Sequence, residues 1–487
     1  MSKYVYEELL QRKKYLKDEN YCPNVGLFKY GKSKSVDRIL HGSDVYRYNI
    51  YKYRDDDDRI RNLGGGDPIA FKPYKYVVED INNYLKNCSL NEYPHTSGND
   101  SVKNKLIDYL NSININNVDE DNLIITASTT HAYSLLLKSI IREHDVVIIP
   151  TPTYGLFVYE PEKLGGKVEF IELREENGWK IDLDELENKI SSINKELMSE
   201  YNYLSYVPRV VSIYHQNPNN PLGTSYSVKD KKYLYNLAKL CDKYRVLIID
   251  DLVYRDLVYD EKNISLPLAT FSEFKDNVVS LFGISKSYSL ASLRSGFMVG
   301  NKYIIQDMRD NIFIQMDSIS ILSQISLASV FNNDIDRVKY RNKFLKEIKI
   351  KYLENLDIVK FFIEGTSNVS KKVLNRIKKK LSNEEFEYYK DGIKDISIYN
   401  NLIPETGFFI LIDFTKIRGK KINKKIINND VDLIIELFKK EKIKFLPGSS
   451  FGWNNDEQII GRITFSKEWD TLFEDMKVLS DILKKIR

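Results

Sequence analysis

Cysteine is scarce in this chain. Only Cys22, Cys88 and Cys241 occur, an odd number, far apart and without C-x-x-C spacing. That indicates neither a disulfide framework nor a thiolate metal site, and a reducing cytoplasm fits best. Histidine is almost as rare. Of five, His95, His131 and His215 fall near predicted strand ends, in no spacing that would ligate a metal. Charge of one sign is lacking too: 73 basic and 69 acidic side chains leave a net +4, spread along the chain, whereas a nucleic-acid binder gathers its basic residues on one face or arm. No apolar run reaches membrane-spanning length, and Met1 to Glu8 lacks the apolar core of a secretory leader, so the expected protein is soluble, intracellular and without a membrane partner.

What is present is ordinary globular stock, 42% hydrophobic and 29% charged over 487 residues, long enough for more than one core. From residue 123, short β-branched runs alternate with amphipathic stretches such as Ala132 to Ile141 and Lys229 to Tyr244. The runs are Leu123 to Thr126, Val146 to Ile149, Val210 to Tyr214, Val246 to Ile249, Val278 to Phe282 and Phe297 to Val299. Runs apolar on both faces and separated by helices predict an α/β fold, with a mainly parallel central sheet between helical layers. The expected division is an N-terminal arm over 1–62, a large α/β domain over 63–330 and a smaller α+β domain over 331–487. The last would carry strands at Phe408 to Ile412 and Arg462 to Phe465. Its segment around 365–400, with Lys371, Lys372 and Lys378 to Lys380 ahead of Glu384, Glu385 and Glu387, reads as solvated helix faces.

In such sheets ligands collect beyond the carboxyl ends of the strands, and here each end supplies a chemical group. Ser128, Thr129 and Thr130 follow the first run, where hydroxyls and a helix N-terminus read either as capping or as an anion site. Tyr154 follows the second and, alone, reads as packing. Asn217-Pro218-Asn219-Asn220-Pro221-Leu222-Gly223 follows the third, richer than a turn requires. Asp250 and Asp251 close the fourth, and buried carboxylates are costly unless a positive group meets them. Ser285 and Lys286 follow the fifth, and Arg294 lies eight positions after Lys286. A lysine in a desolvated pocket can lose its proton and attack an aldehyde, while an arginine stays charged and suits phosphate. Alone, the pair reads as solvated surface. Arg462, after Gly461, offers a planar fork for a carboxylate, and Leu63-Gly64-Gly65-Gly66 is a turn where backbone can approach a ligand.

Taken in order over residues 63 to 330 and 404 to 466, this set resembles the class I/II aminotransferases, fold-type-I enzymes that use pyridoxal 5′-phosphate. The carrying motifs are Asn217 to Gly223, Asp251-Leu252-Val253-Tyr254, and Ser285-Lys286 with Arg294. The resemblance implies that Lys286 forms the Schiff base and later moves the proton between the substrate Cα and the cofactor. Asp251 would keep the pyridine nitrogen protonated, making the ring an electron sink. Asn220 and Tyr254 would hydrogen-bond its phenolic oxygen, and Tyr154 would stack on the ring. Ser128, Thr129, Thr130 and Arg294 would bind the phosphate, and Ser285, next to the lysine, would be among the cofactor-binding residues. Arg462 would take the substrate carboxylate, with Gly66 nearby. Tyr93 matches the family tyrosine that reaches the phosphate of a partner subunit, which implies a homodimer with shared sites.

Three features depart from the pattern. Gly283 stands where the family usually has serine, so one phosphate hydroxyl is expected to be missing; Leu222 replaces a common threonine; and the N-terminal arm and the 365–400 segment are extra and expected to line or cap the entrance. Transamination between an amino acid and a 2-oxo acid is the leading expectation. Elimination, cyclisation or decarboxylation of an amino acid on the same cofactor is the alternative. No basic residue occurs from Ile312 to Ser320, which favours an uncharged or cationic substrate side chain near Asp317. A cofactor-sensing DNA-binding regulator is disfavoured, since the first sixty residues are short for such a module and end in Asp55 to Asp58.

Overall fold

Residues that are apolar on both sides of a strand need a core on each face of the sheet, and the chain builds two. The structure, a computed structural model, describes residues 60–88, 90–454 and 456–486, so the arm predicted over 1–62 lies almost wholly outside the described residues. After a two-residue strand β1 (Arg61–Asn62) come β2 (Leu123–Thr126), β3 (Val146–Thr151), β4 (Lys167–Glu172), β5 (Val210–Gln216), β6 (Leu247–Asp251), β7 (Val278–Gly283) and β8 (Gly296–Val299). These last seven form one sheet in the order β2-β8-β7-β6-β5-β3-β4. Val147, Ile149, Leu247, Ile249, Val279 and Leu281 enter the core on one face, and their neighbours Val146, Ile148, Ile248 and Val278 enter the core on the other. Each such side chain, fully buried, contributes about 1.5–3 kcal/mol.

The sheet is parallel except at β8, which runs antiparallel to both β7 and β2. That reversal explains why Arg294 precedes its strand whereas the other candidate groups follow theirs: all lie at one edge. Strand β4 escaped the sequence reading. It is an edge strand whose Lys-Val-Glu-Phe-Ile-Glu sequence alternates with charge and is only partly buried.

The C-terminal part forms a separate antiparallel sheet. After β9 (Ser397–Ile398), β10 (Phe409–Asp413) and a small hairpin, β11 (Lys421–Ile422) with β12 (Lys425–Ile426), come β13 (Ile443–Lys444), β14 (Leu446–Pro447) and β15 (Ile460–Thr464). The sheet order is β14-β15-β10-β9, and β13 pairs in parallel with β1. A 30-residue helix, Ile335–Glu364, and the helix Trp469–Leu483 cover this sheet and share its core. The 365–400 segment contains the helices Lys371–Lys380 and Asn383–Tyr389. Val373, Ile377 and Tyr389 face that core while Lys371, Lys372 and Lys378 to Lys380 are exposed, as the charge pattern predicts. Gly223 joins the two parts of the fold. At φ 73° it occupies the left-handed region, and a Cβ there would lie 2.6 Å from Cβ of Pro404. Among the described residues no helix is long and apolar enough to cross a membrane.

Candidate active site

A cavity of about 700 Å³ opens at the carboxyl edge of the large sheet, between it and the C-terminal sheet. Its first wall is the start of the helix Thr129–Ile140. Ser128 caps that helix at φ 100°, its Oγ accepting the His131 N–H at 3.3 Å, while Thr126 Oγ1 donates to the Ser128 carbonyl at 3.0 Å. A non-glycine residue in this region costs about 1–3 kcal/mol and persists where its surroundings fix it. Gly296 on β8 is one reason it persists. A Cβ there would fall 2.8 Å from the Ser128 carbonyl carbon and 2.9 Å from the Thr129 nitrogen, so only glycine lets the helix start press onto the sheet. His131 Nδ1 accepts the Ala127 N–H at 3.0 Å, and burial together with Lys138 lowers its pKa, which keeps the imidazole neutral as that bond requires. Exposed Arg294 faces the same cavity, its Nη1 donating to the Ala291 carbonyl at 2.8 Å. A helix N-terminus, three hydroxyls and a guanidinium make an anion site.

The floor is acidic. Asp250 and Asp251 are consecutive on β6 and therefore point to opposite faces of the sheet. Asp250 meets His215, Nδ1 to Oδ1 3.0 Å, on the face away from Asp251. Asp251 is 1% exposed; it accepts the Tyr214 hydroxyl on Oδ2 and the Val253 N–H on Oδ1 at 3.0 Å, with no cation reaching it among the described residues. Burial pushes its pKa up to about 6. A buried carboxylate on a cavity floor, lacking a counter-charge, is chemically suited to a protonated ring nitrogen.

The turn after β5 and the C-terminal sheet meet across the cavity. Arg462, on β15 and 3% exposed, donates from Nη1 to Asn220 Oδ1 at 2.8 Å and from Nη2 to the Gly64 carbonyl at 3.1 Å. The rings of Phe409 and Phe451 each lie 5.2 Å from its guanidinium carbon. Gln216 Oε1 accepts the Asn220 N–H at 3.0 Å, fixing the turn that carries the amide.

Lys286 follows β7 and reaches into the centre. Its Nζ donates to the Gly66 carbonyl at 2.7 Å. Burial lowers its pKa to about 8, with Arg462 and Arg294 adding to the depression and Asp67 opposing it. An amine so poised is partly neutral near physiological pH and can act as nucleophile or base. Tyr254 is 4% exposed, and burial holds its hydroxyl protonated, ready to donate.

Ser128, Thr129, Thr130, Tyr154, Asn220, Asp251, Tyr254, Ser285, Lys286, Arg294, Arg462 and Gly66 all line this one cavity. Tyr93 does not, and is 85% exposed. Two expectations require correction. Asp317 lies outside the cavity: it ends the helix Lys302–Met316 at φ 65° and accepts the Ser318 hydroxyl at 3.2 Å. No described residue of 365–400 lines the cavity either, because that segment docks on the helix Trp469–Leu483, Arg376 lying 3.7 Å over Trp469. At Gly283 a Cβ would come within 3.0 Å of the Thr129 methyl, a tight contact for any side chain there. Sequence reasoning missed Tyr214, Gln216, Gly64 and Asp67. Only the glycine turn carried a signal for the last two.

A family profile described as "Aminotransferase class I and II" matches residues 60–361. A probable aspartate aminotransferase from Methanocaldococcus jannaschii is 24% identical over 433 residues, covering 87% of this chain and 92% of that protein. Human kynurenine–oxoglutarate transaminase 3 is 28% identical over 314 residues, 61% of this chain and 63% of its own. Among solved structures, an aspartate aminotransferase from Rhizobium meliloti superposes with a TM-score of 0.71 at 19% identity, covering 96% of this chain and 100% of the other. The chain belongs to the class I and II aminotransferases, a family that generally depends on pyridoxal 5′-phosphate, and is an aminotransferase.

Proposed function

We propose that this aminotransferase holds pyridoxal 5′-phosphate in the cavity on Lys286 and moves an amino group from an amino acid to a 2-oxo acid. The observation that carries the reading is Asp251, a buried carboxylate that meets no positive partner among the described residues, on the floor of a cavity whose other end is suited to an anion. When bound, the cofactor supplies an aldehyde carbon to receive the amine and a ring to hold the electron pair released at Cα. Ser128, Thr129, Thr130 and Arg294 would hold the phosphate, with Ser285 beside them in the cavity lining. Tyr154 would cover the ring, and Asn220 and Tyr254 would hydrogen-bond the phenolic oxygen. Arg462 exchanges its bonds to Asn220 and Gly64 for a bidentate grip on the substrate carboxylate, which orients the Cα–H bond toward Lys286. Lys286 Nζ, freed once the substrate amine replaces it, would take that proton from Cα and deliver it to the cofactor's aldehyde carbon.

The chain acts as a homodimer in the cytoplasm, with Tyr93 serving the partner's phosphate. Its exposure outside its own cavity supports that role, and the free Cys88 and Cys241 support a reducing compartment. The two sheets, which share no strand, support a large unit over 63–330 and a small one over 331–487, with 1–62 as an arm joined through β1.

Substrate choice follows from the carboxylate and apolar side chains at the mouth. Asp67 is exposed there beside Ile69, Phe71 and Leu446, an environment that repels a second substrate carboxylate and accepts an uncharged or cationic side chain. With a 2-oxo acid acceptor, phenylalanine, leucine or lysine is expected to surpass aspartate in kcat/KM by about tenfold, a 1.4 kcal/mol preference, and Asp67→Asn should narrow the gap. One amino acid product should form per donor consumed. Release of ammonia or carbon dioxide in place of amine transfer would overturn the assigned reaction in favour of elimination or decarboxylation.

A further inference from the structure

Lys286 and Tyr254 come from different strands, and the backbone ladder that aligns those strands stops before it reaches either of them. Strands β6 and β7 pair from Ile248 with Val278 to Asp251 with Leu281, and the last bond runs from the Leu252 N–H to the Leu281 carbonyl at 3.0 Å. Tyr254 and Lys286 lie beyond it, each at the start of its own turn. Two residues past each of them the chains are joined again. The Tyr288 hydroxyl donates to Asp256 Oδ2 at 2.7 Å. Behind that bond Arg255 Nη1 donates to Asp256 Oδ1 at 3.2 Å and to the Tyr109 hydroxyl at 3.3 Å. Tyr288 is 1% exposed and Tyr109 5%, and none of Arg255, Asp256, Tyr288 or Tyr109 lines the cavity. Burial and the adjacent Asp256 keep the Tyr288 hydroxyl protonated, so it is the donor.

We propose that Asp256 and Tyr288 are positioning residues, a buried cross-tie that sets the distance between the Lys286 amine and the Tyr254 hydroxyl. The proposal rests on the roles assigned above to Lys286 and Tyr254. The tie touches neither substrate nor cofactor, and it restrains the groups that do. The local backbone alone does not fix their separation: beyond Leu252 no backbone bond among the described residues joins one turn to the other. Each is closed by its own bond, Tyr288 N–H to the Ile284 carbonyl at 3.3 Å and Leu257 N–H to the Tyr254 carbonyl at 2.9 Å, and each is held elsewhere, the Tyr288 carbonyl by the Tyr74 N–H at 3.2 Å and the Tyr254 carbonyl by the Thr406 hydroxyl at 3.2 Å. Placement errors near 1 Å at reacting atoms cost about 10²-fold in rate. Loosening the tie should therefore act on kcat, while ground-state binding through Arg462 and the phosphate site is left intact.

The test compares Tyr288→Phe with Tyr109→Phe in the cofactor-loaded enzyme. Both delete one hydroxyl from the same buried cluster, but only the first cuts the tie. Tyr288→Phe should lower kcat about 10- to 100-fold, with KM and the dissociation constant for pyridoxal phosphate each within about twofold. Tyr109→Phe should leave kcat within about twofold, even where it lowers the melting temperature as much. Equal effects of the two variants on kcat, or a Tyr288→Phe loss explained by weaker cofactor binding, would overturn the proposal while leaving the site assignment standing; an inactive parent enzyme would instead remove that assignment. Should Tyr288→Phe fail to fold, Asp256→Asn and Asp256→Ala decide. The asparagine oxygen still accepts the Tyr288 hydroxyl, so it should retain most of the kcat that alanine loses, and equal losses would overturn the tie.

Discussion

Lys286→Ala is expected to lower turnover by at least about 10⁴-fold, the upper end of what a positioned proton-transfer group contributes, compounded by loss of the nucleophile. The variant should also lose the visible absorption that depends on a lysine–cofactor bond, while still binding the cofactor through its phosphate. The physical basis is the environment of one amine. Lys286 Nζ sits against the Gly66 carbonyl, pushed to a pKa of about 8 chiefly by burial. No other lysine lines the cavity among the described residues, so no substitute amine stands ready. Parent-like turnover, or an unchanged spectrum, in the alanine variant would remove Lys286 from the mechanism.

Asp251→Asn should cost about 10²- to 10³-fold in kcat, the scale of removing one preorganised electrostatic partner from a desolvated site. The same substitution should stabilise the cofactor-free protein. The carboxyl's pKa rises from 3.8 to about 6 on folding because burial disfavours the charged form. Below about pH 4 both states are protonated and nothing is lost. Between about 4 and 6 the unfolded chain ionises while the folded one stays protonated, so stability falls as pH rises; above 6 the penalty is complete, about 3 kcal/mol for a shift of roughly two units. Thermal unfolding of the two cofactor-free proteins checks this. The asparagine variant should melt higher at pH 8, with the difference shrinking as pH falls toward 4. A variant both less stable at pH 8 and fully active would show that Asp251 is only a structural carboxylate.

The parts legible in the sequence share a cause. Strands buried on both faces must be apolar throughout, so β2, β3, β5, β6, β7 and β8 announced themselves, and the residues just after the first five, which run in one direction, were bound to share one edge. Strand β4 was hidden because an edge strand tolerates charge on alternate residues. Tyr214 was hidden by register: nothing local to Tyr214 shows that its hydroxyl meets Asp251, since that follows from the pairing of β5 with β6. The bonds from Lys286 to Gly66 and from Arg462 to Gly64 span 220 and 398 positions, beyond the reach of any local pattern, although the glycine turn itself was visible. Asp317 and the 365–400 segment were placed near the substrate because charge and extra length were read without the packing that carries them elsewhere.

The central claim, that Lys286 carries the cofactor, is tested most directly by borohydride reduction of the pyridoxal-phosphate-loaded enzyme, followed by proteolysis and mass mapping of the modified lysine. Reduction converts the labile carbon–nitrogen bond into a stable amine at whichever lysine held the cofactor. The account predicts a single modified site, Lys286, stoichiometric with lost activity. Modification at another lysine, with Lys286 recovered unlabelled, would contradict it.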